Sequence, residues 1–153
     1  MPPTKVPRDP EFEARVRASF ERQGLMTTIG ARLTRVSPGE VDIEAPFGAG
    51  LTQQHGYVHA GIVTALVDSA CGYSAISLSP PGTEALTVEY KVNFLAPAMG
   101  ERLIARGRVV RAGRTITVCS GEVVAIAGAS EKQVAVMLAT ILTVPSDRES
   151  PAD

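Results

Sequence analysis

From Ile62 to Leu78, in "IVTALVDSACGYSAISL", the only charged side chain is Asp68. A helix that is apolar on every side has no face to give to water, so the rest of its fold must enclose it. The helical reading runs from His59 to Leu78 and stops at "SPPG", Ser79 to Gly82, where two prolines cannot continue the turn. A chain of 153 residues makes one domain with one core. Whatever wraps this helix is therefore nearly the whole architecture.

The flanking sequence supplies the wrapping. Pro10 to Arg22 places Phe12, Val16 and Phe20 at helical spacing between charges, which predicts an amphipathic N-terminal helix ended by Gly24. Ala31–Val36 and Val41–Ala45 alternate about a Ser37-Pro38-Gly39-Glu40 turn and read as a hairpin. Gly48 to Gly56 reads as loop. After the long helix come four β-rich runs, "EALTVEYKVNFLAP", "ERLIARGRVV", "TITVCSGEVVAIA" and "QVAVMLATILTV", joined by connectors short enough for antiparallel hairpins. The expected class is α+β, an antiparallel sheet around one long helix. Close backbone approach is expected at Gly61, Ala65, Ala70 and Gly72. Residues 1–24 read as an N-terminal tail and helix, 25–145 as the domain, and 146–153, "SDRESPAD", as a disordered tail.

The formal charge of −1 gives no basic field of the kind that gathers nucleic acid or anionic membrane, so neither is expected as a partner. No segment reaches the ~18 uninterrupted apolar residues of a membrane span, and the proline-rich start has no signal-peptide core. The expected location is the cytoplasm. Cys71 and Cys119 fall in no metal-binding or C-x-x-C spacing and read as buried free thiols.

Chemistry concentrates in "QQHGYVHAGIVTALVDSA", Gln53 to Ala70. His55 and His59 are four residues apart and would share a helix face if that segment were helical. A third metal ligand is missing, because Asp68 lies nine residues past His59, about 900° around the helix and on its opposite face. No metal site is expected. Asp68 itself is costly in a buried helix unless it is hydrogen-bonded or opens onto a cleft. It reads either as a structural aspartate or as a catalytic base or nucleophile. At the helix start, His59, Ala60 and Gly61 offer free N–H groups and the positive end of the helix dipole, which suit a developing oxyanion. Asp68 is more than two turns from those groups in its own chain. If both act on one carbonyl, two helices must run antiparallel in a dimer, each lending its aspartate to the other's N-terminus.

The order of elements, with Gln53, His59-Ala60-Gly61 six positions on and Asp68 nine positions after the histidine, resembles the hotdog-fold acyl-CoA thioesterases, in particular the branch of the phenylacetate-degradation and 4-hydroxybenzoyl-CoA thioesterases. The resemblance spans roughly Leu25 to Val144. It implies a hotdog fold and hydrolysis of an acyl- or aryl-CoA thioester without a cofactor. It further implies Asp68 as nucleophile or general base, the Ala60 N–H as the group that polarises the carbonyl, and Gln53, His59 and Gly61 around it. Thr87, in "LTVEYKVNFLAP", would hold the attacking water. The family builds each site across a homodimer, often within a dimer of dimers. Ala60 departs from the family's usual glycine; it keeps the N–H and adds a methyl group to the pocket.

Arg102, Arg106, Arg108, Arg111 and Arg114 crowd a stretch with no acid and no lysine. Guanidinium groups suit the phosphates of coenzyme A, and Arg108, Arg111 and Arg114 are the expected contacts, the last two at the "RAGR" turn. Solvated charge guarding a sheet edge is the alternative. Two other hotdog functions compete with hydrolysis. A non-catalytic acyl-CoA-binding protein would not need Asp68, and a dehydratase would place its histidine and acid differently.

Overall fold

The computed structural model describes residues 5–146. Helix α1 (Phe12–Glu21) and a short α2 (Gly24–Thr28) lead into the hairpin β1 (Arg32–Ser37) and β2 (Glu40–Pro46). A single 3-10 turn, Ala49–Leu51, precedes the long α3 (Ala60–Ile76), and β3 (Thr83–Phe94), β4 (Arg102–Ala112), β5 (Ile116–Ala127) and β6 (Ser130–Pro145) follow. The strands form one antiparallel sheet in the order β1-β2-β4-β5-β6-β3. It curls around α3 in the expected hotdog arrangement.

Period-two alternation decides which side of the sheet meets the helix. Val41, Ile43 and Ala45 on β2, Leu103, Ala105 and Val109 on β4, and Ala135, Met137, Ala139 and Ile141 on β6 point inward and are buried. They pack on Leu66, Val67, Ala70 and Cys71 of α3, all fully buried. The tightest approach lies at two paired strand glycines. A Cβ on Gly107 would stand 2.2 Å from the Ala70 carbonyl oxygen, and one on Gly121 would stand 2.4 Å from Val67 Cγ2. These glycines face each other across β4 and β5, so together they form the notch in which the middle of α3 sits. Ala70 is at the contact as expected. Gly61 and Gly72 are not: a Cβ at Gly72 would meet nothing within 4 Å and one at Gly61 only the His59 ring.

The N-terminal segment belongs to the same core. Val16 and Phe20 are buried, and Phe20 meets Tyr73 of α3 edge-on at 5.8 Å between ring centroids. The Arg15 guanidinium donates to the carbonyls of Ile76, Ser79, Pro80 and Thr83 and pairs with Asp9 at 3.0 Å. It thereby satisfies acceptors at the C-terminal end of α3 that the helix itself leaves open. Gly24 does not simply end the first helix; it opens α2, because burying Met26 and Ile29 rewards one more turn. The long helix closes at Ile76, two residues before the expected Leu78. Cys71 and Cys119 are buried free thiols, and burial raises both pKa values, that of Cys119 to about 11. Of the expected C-terminal tail, only Ser146 lies among the described residues.

Candidate active site

His59 is the N-cap of α3, and its Nδ1 accepts the Gly61 N–H at 2.8 Å. This local closure is a side-chain cap of the first helical turn. It occupies Gly61, whereas the Ala60 N–H has no partner among the described residues. Both Ala60 and Gly61 are exposed. His55 lies outside the helix in the Gln53–Tyr57 loop, so the two histidines do not form an i, i+4 helical pair. Gln53 ties that loop together: its N–H donates to Tyr57 O at 2.8 Å, its carbonyl accepts from Gly56, and its side-chain oxygen accepts from the His55 N–H. Gln53 and Ala60 line one cavity of about 400 Å³, whose remaining wall includes Tyr57, Val63, Phe94 and Pro97.

Asp68 opens onto a different cavity. It is half-buried, and the Thr87 hydroxyl on β3 donates to its Oδ1 at 2.7 Å. Desolvation raises its pKa above the ordinary 3.8, and the Thr87 bond opposes part of that rise. Thr87 faces the helix by the same alternation as Ala85 and pairs with the buried Ile141 of β6; the register shift comes just after it, between Thr87 and Glu89. The cavity holds about 240 Å³ and is lined along α3 by Ser69, Gly72, Tyr73 and Ile76, with Ser19 and Gln23 of the N-terminal segment also in its wall. It shares no lining residue with the Ala60 cavity. Within one chain, therefore, the candidate oxyanion donor and the candidate base belong to separate pockets.

Three of the five clustered arginines are committed to acids. Arg102 pairs with Glu44, Arg106 with Glu122 and Glu131, and Arg108 with Asp42 at 2.6 Å. Arg111 and Arg114 have no ion pair among the described residues and are exposed.

The sequence reading missed the polar wall opposite Asp68. The Ser69 hydroxyl donates to Gln23 Oε1 at 3.0 Å, and the Gln23 amide and the Ser19 hydroxyl each stand 3.4 Å from the Tyr73 hydroxyl. Ser69 and Tyr73 sit in the stretch that drew attention to Asp68. Gln23 lies between two helices with no local pattern to mark it.

β3 is an outermost strand of the sheet. Its Leu86, Val88, Tyr90 and Phe94 are each between 44 and 57 % exposed, an apolar edge that a lone domain does not normally present. No helix among the described residues is long and apolar enough to cross a membrane.

Comparison with known proteins places this arrangement. The profile of the thioesterase superfamily matches residues 55–131. A thioesterase family protein from Silicibacter pomeroyi is 47% identical in sequence and superposes with a TM-score of 0.86, covering 88% of this chain and 98% of that one. A presumed esterase of Halobacterium salinarum is 32% identical over 78% of this chain and 82% of its own. The PaaI protein of the E. coli phenylacetic acid degradation operon, at 21% identity, shares the fold with a TM-score of 0.79 over 88% of this chain and 94% of that one.

Proposed function

The chain belongs to the thioesterase superfamily, and from that premise we propose that this thioester hydrolase cleaves an acyl- or aryl-CoA thioester to the free acid and CoA, as a PaaI-like enzyme. One observation carries the reading: a half-buried carboxylate with a raised pKa, held by a threonine hydroxyl, faces a cavity and is the only charge on its helix. Structural aspartates are ordinarily neutralised by a cation or several backbone donors. Among the described residues Asp68 has neither; the one hydrogen bond it accepts there, from Thr87, goes to Oδ1 and leaves the second oxygen for chemistry.

The Asp68 carboxylate either attacks the thioester carbonyl carbon or takes a proton from water that does so. In the first case an acyl-aspartyl anhydride forms and water cleaves it. In the second the carboxylate returns its proton to the departing sulfur. Either way the carbonyl oxygen becomes an oxyanion, which the Ala60 N–H and the α3 dipole stabilise. The C–S bond then breaks: in the anhydride route CoA leaves as the thiolate and takes its proton from water, and in the water-mediated route it leaves as the thiol with the proton that Asp68 returns. Thr87 orients the carboxylate and, in the water-mediated case, the water. Gln53, His59 and Gly61 keep the donor in place: the His59–Gly61 closure fixes the first turn and Gln53 holds the loop before it. No resident cofactor is required by these steps.

The site is completed by a second copy of the chain. Pairing of two β3 edges would cover the exposed Val88, Tyr90 and Phe94 and set two α3 helices antiparallel, bringing Ala60 of one copy to Asp68 of the other. On the opposite face of the sheet Leu86, Leu142 and Ile116 stand side by side in register, a second apolar surface suited to a dimer of dimers. Arg111 and Arg114 hold the CoA phosphates, while Arg108, already bound to Asp42, adds to the local field. Hydrolysis of CoA esters followed by thiol release, in wild type and in Asp68→Asn, tests the proposal. Equal rates in the two proteins would defeat it and favour simple acyl-CoA binding.

A further inference from the structure

A further, much smaller cavity lies at the C-terminal end of α3, where Arg8 of the N-terminal segment and Arg114 of the β4–β5 turn share a wall with Ser79, Thr117 and Thr143. Its lining contains no carboxylate. Arg8 and Arg114 are exposed, and neither makes an ion pair among the described residues. The decisive side chain is Thr117. It follows the inward alternation of Cys119 on β5 and is only 4 % exposed, yet its hydroxyl makes no hydrogen bond among the described residues. A buried hydroxyl without a partner is costly, so the cavity it lines has to supply one. The Thr143 hydroxyl is uncommitted in the same way, whereas that of Ser79 is taken up by Ile76, Thr83 and Arg15.

Cations beside a helix C-terminus ordinarily need no ligand, because the helix dipole favours them there. Here that role is already filled. Arg15 donates to the carbonyls of Ile76 and Ser79 and brings the positive charge that the end of α3 calls for. Asp9, the acid next to Arg8 in the chain, is bound to Arg15 at 3.0 Å and to the Glu11 N–H at 2.9 Å. Arg8 and Arg114 are therefore surplus positive charge beside an unpaired hydroxyl. The niche measures about 10 Å³, room for roughly one oxygen atom the size of a water. Its ligand puts one oxygen inside, to accept from Thr117, and keeps the rest at the mouth. A carboxylate has only two oxygens, in one plane. A phosphate monoester has three free oxygens directed apart, and its charge of nearly two matches two guanidinium groups.

We propose that Arg8, Arg114 and Thr117, with Thr143, form a phosphate-monoester site, and that the 3′-phosphate of CoA is its occupant. The occupant rests on the thioesterase reading; the niche does not. Ala75 on its wall and Asp68 belong to one helix, roughly 10 Å apart along its axis, a separation that the extended pantetheine arm of CoA exceeds. Two measurements test the site in wild type, in Arg8→Ala and in Thr117→Val, which keeps the shape of the side chain and removes only its hydroxyl. In the first, inorganic phosphate is titrated at fixed ionic strength and the melting temperature followed. Phosphate strengthens any fold slightly by exclusion from its surface, so the readout is the rise in wild type beyond that in the variants, which reports binding to the folded state. In the second, KM is compared between a CoA ester and the same ester of 3′-dephospho-CoA. The expected wild-type KM is about fivefold or more higher for the dephospho ester, and the ratio falls close to one in both variants. A phosphate-specific rise in melting temperature together with equal KM values supports the niche and assigns it to a free phosphate ester instead. Equal melting shifts in all three proteins together with a wild-type KM ratio near one overturn the proposal. Failure of the thioesterase reading is seen separately, as absence of hydrolysis in wild type, and leaves the phosphate titration unaffected.

Discussion

Thr87 on the edge strand and Asp68 on the central helix are joined by a 2.7 Å hydrogen bond, and that bond works against burial on the one carboxylate of α3. The hydroxyl stabilises the carboxylate while burial disfavours it, and burial wins. Thr87→Ala removes the opposing part. The acidic limb of the kcat/KM profile should therefore move to higher pH, with a fall in kcat of roughly tenfold as the carboxylate loses its orientation. A pH–rate profile whose acidic limb stays in place or moves down would contradict this.

Asp68→Asn should lower kcat about a hundredfold or more while the protein stays folded. Stability gives an independent check. The folded pKa lies above the ordinary 3.8, so the folded state holds this proton more tightly than the unfolded chain does. Its contribution to stability is complete below the unfolded pKa and is lost as pH rises through the folded value. At neutral pH the asparagine variant should thus melt at the same temperature as wild type or higher, with both compared at one protein concentration. Marked destabilisation with retained activity would instead identify a structural aspartate.

Subunit complementation addresses the shared site. Proline is tolerated at the first position of a helix, where Ala60 stands, and His59 already has the extended backbone (φ −58°, ψ 137°) that a following proline requires. Ala60→Pro removes the proposed oxyanion donor without breaking α3. Homodimers of Ala60→Pro and of Asp68→Asn should each be inactive. Refolding an equal mixture should restore about a quarter of wild-type activity, since half the dimers are mixed and each of those regains one of two sites. No recovery despite confirmed mixed dimers would place both groups in one chain.

Among the described residues Arg111 and Arg114 lack the acidic partners that hold their neighbours. Changing both to alanine should raise KM for CoA esters several-fold with little effect on kcat, the signature of binding to a remote part of the substrate. The same ester on a short pantetheine analogue without phosphates should show no such difference between the two proteins. An unchanged KM for the CoA ester would leave both arginines as surface charge.

Gly107→Ala should cost roughly 2–3 kcal/mol in denaturant unfolding, because the new methyl meets the backbone of α3 at Ala70 and neither element can yield cheaply. Gly72→Ala, with open space around it, is the control for stability. A wild-type midpoint for Gly107→Ala would mean that the notch is looser than its geometry implies.

Much of this protein could be read from local pattern. Seventeen residues with one charge, Ile62 to Leu78, demanded a buried helix. Alternation in "EVDIEAP" and the β-rich run "ERLIARGRVV" marked strands before any pairing was known, since side-chain direction in a strand depends only on parity. The backbone donors at the start of α3 and the lone Asp68 were visible for the same reason: helix geometry is local, and two and a half turns separate them in any fold. The thioesterase assignment of Thr87 came by resemblance, not by pattern. Its bond to Asp68 needs β3 laid beside α3 at the sheet edge, which no local pattern states.

What tertiary structure alone decided are the pairings between residues far apart in the chain. Five arginines in a row look alike as a string. Acids on β2, β5 and β6, brought alongside by the strand order, occupy Arg102, Arg106 and Arg108 and leave Arg111 and Arg114 open. The glycines that admit the helix proved to be Gly107 and Gly121 on the strands, not Gly61 and Gly72 on the helix, because closeness depends on which surfaces are pressed together. Gln23 joins Ser69 across 46 positions of chain for the same reason. Periodicity fixes the direction of a side chain relative to its own element, whereas its partner is chosen by the one packing that buries α3 on all sides, and that choice is a property of the whole chain.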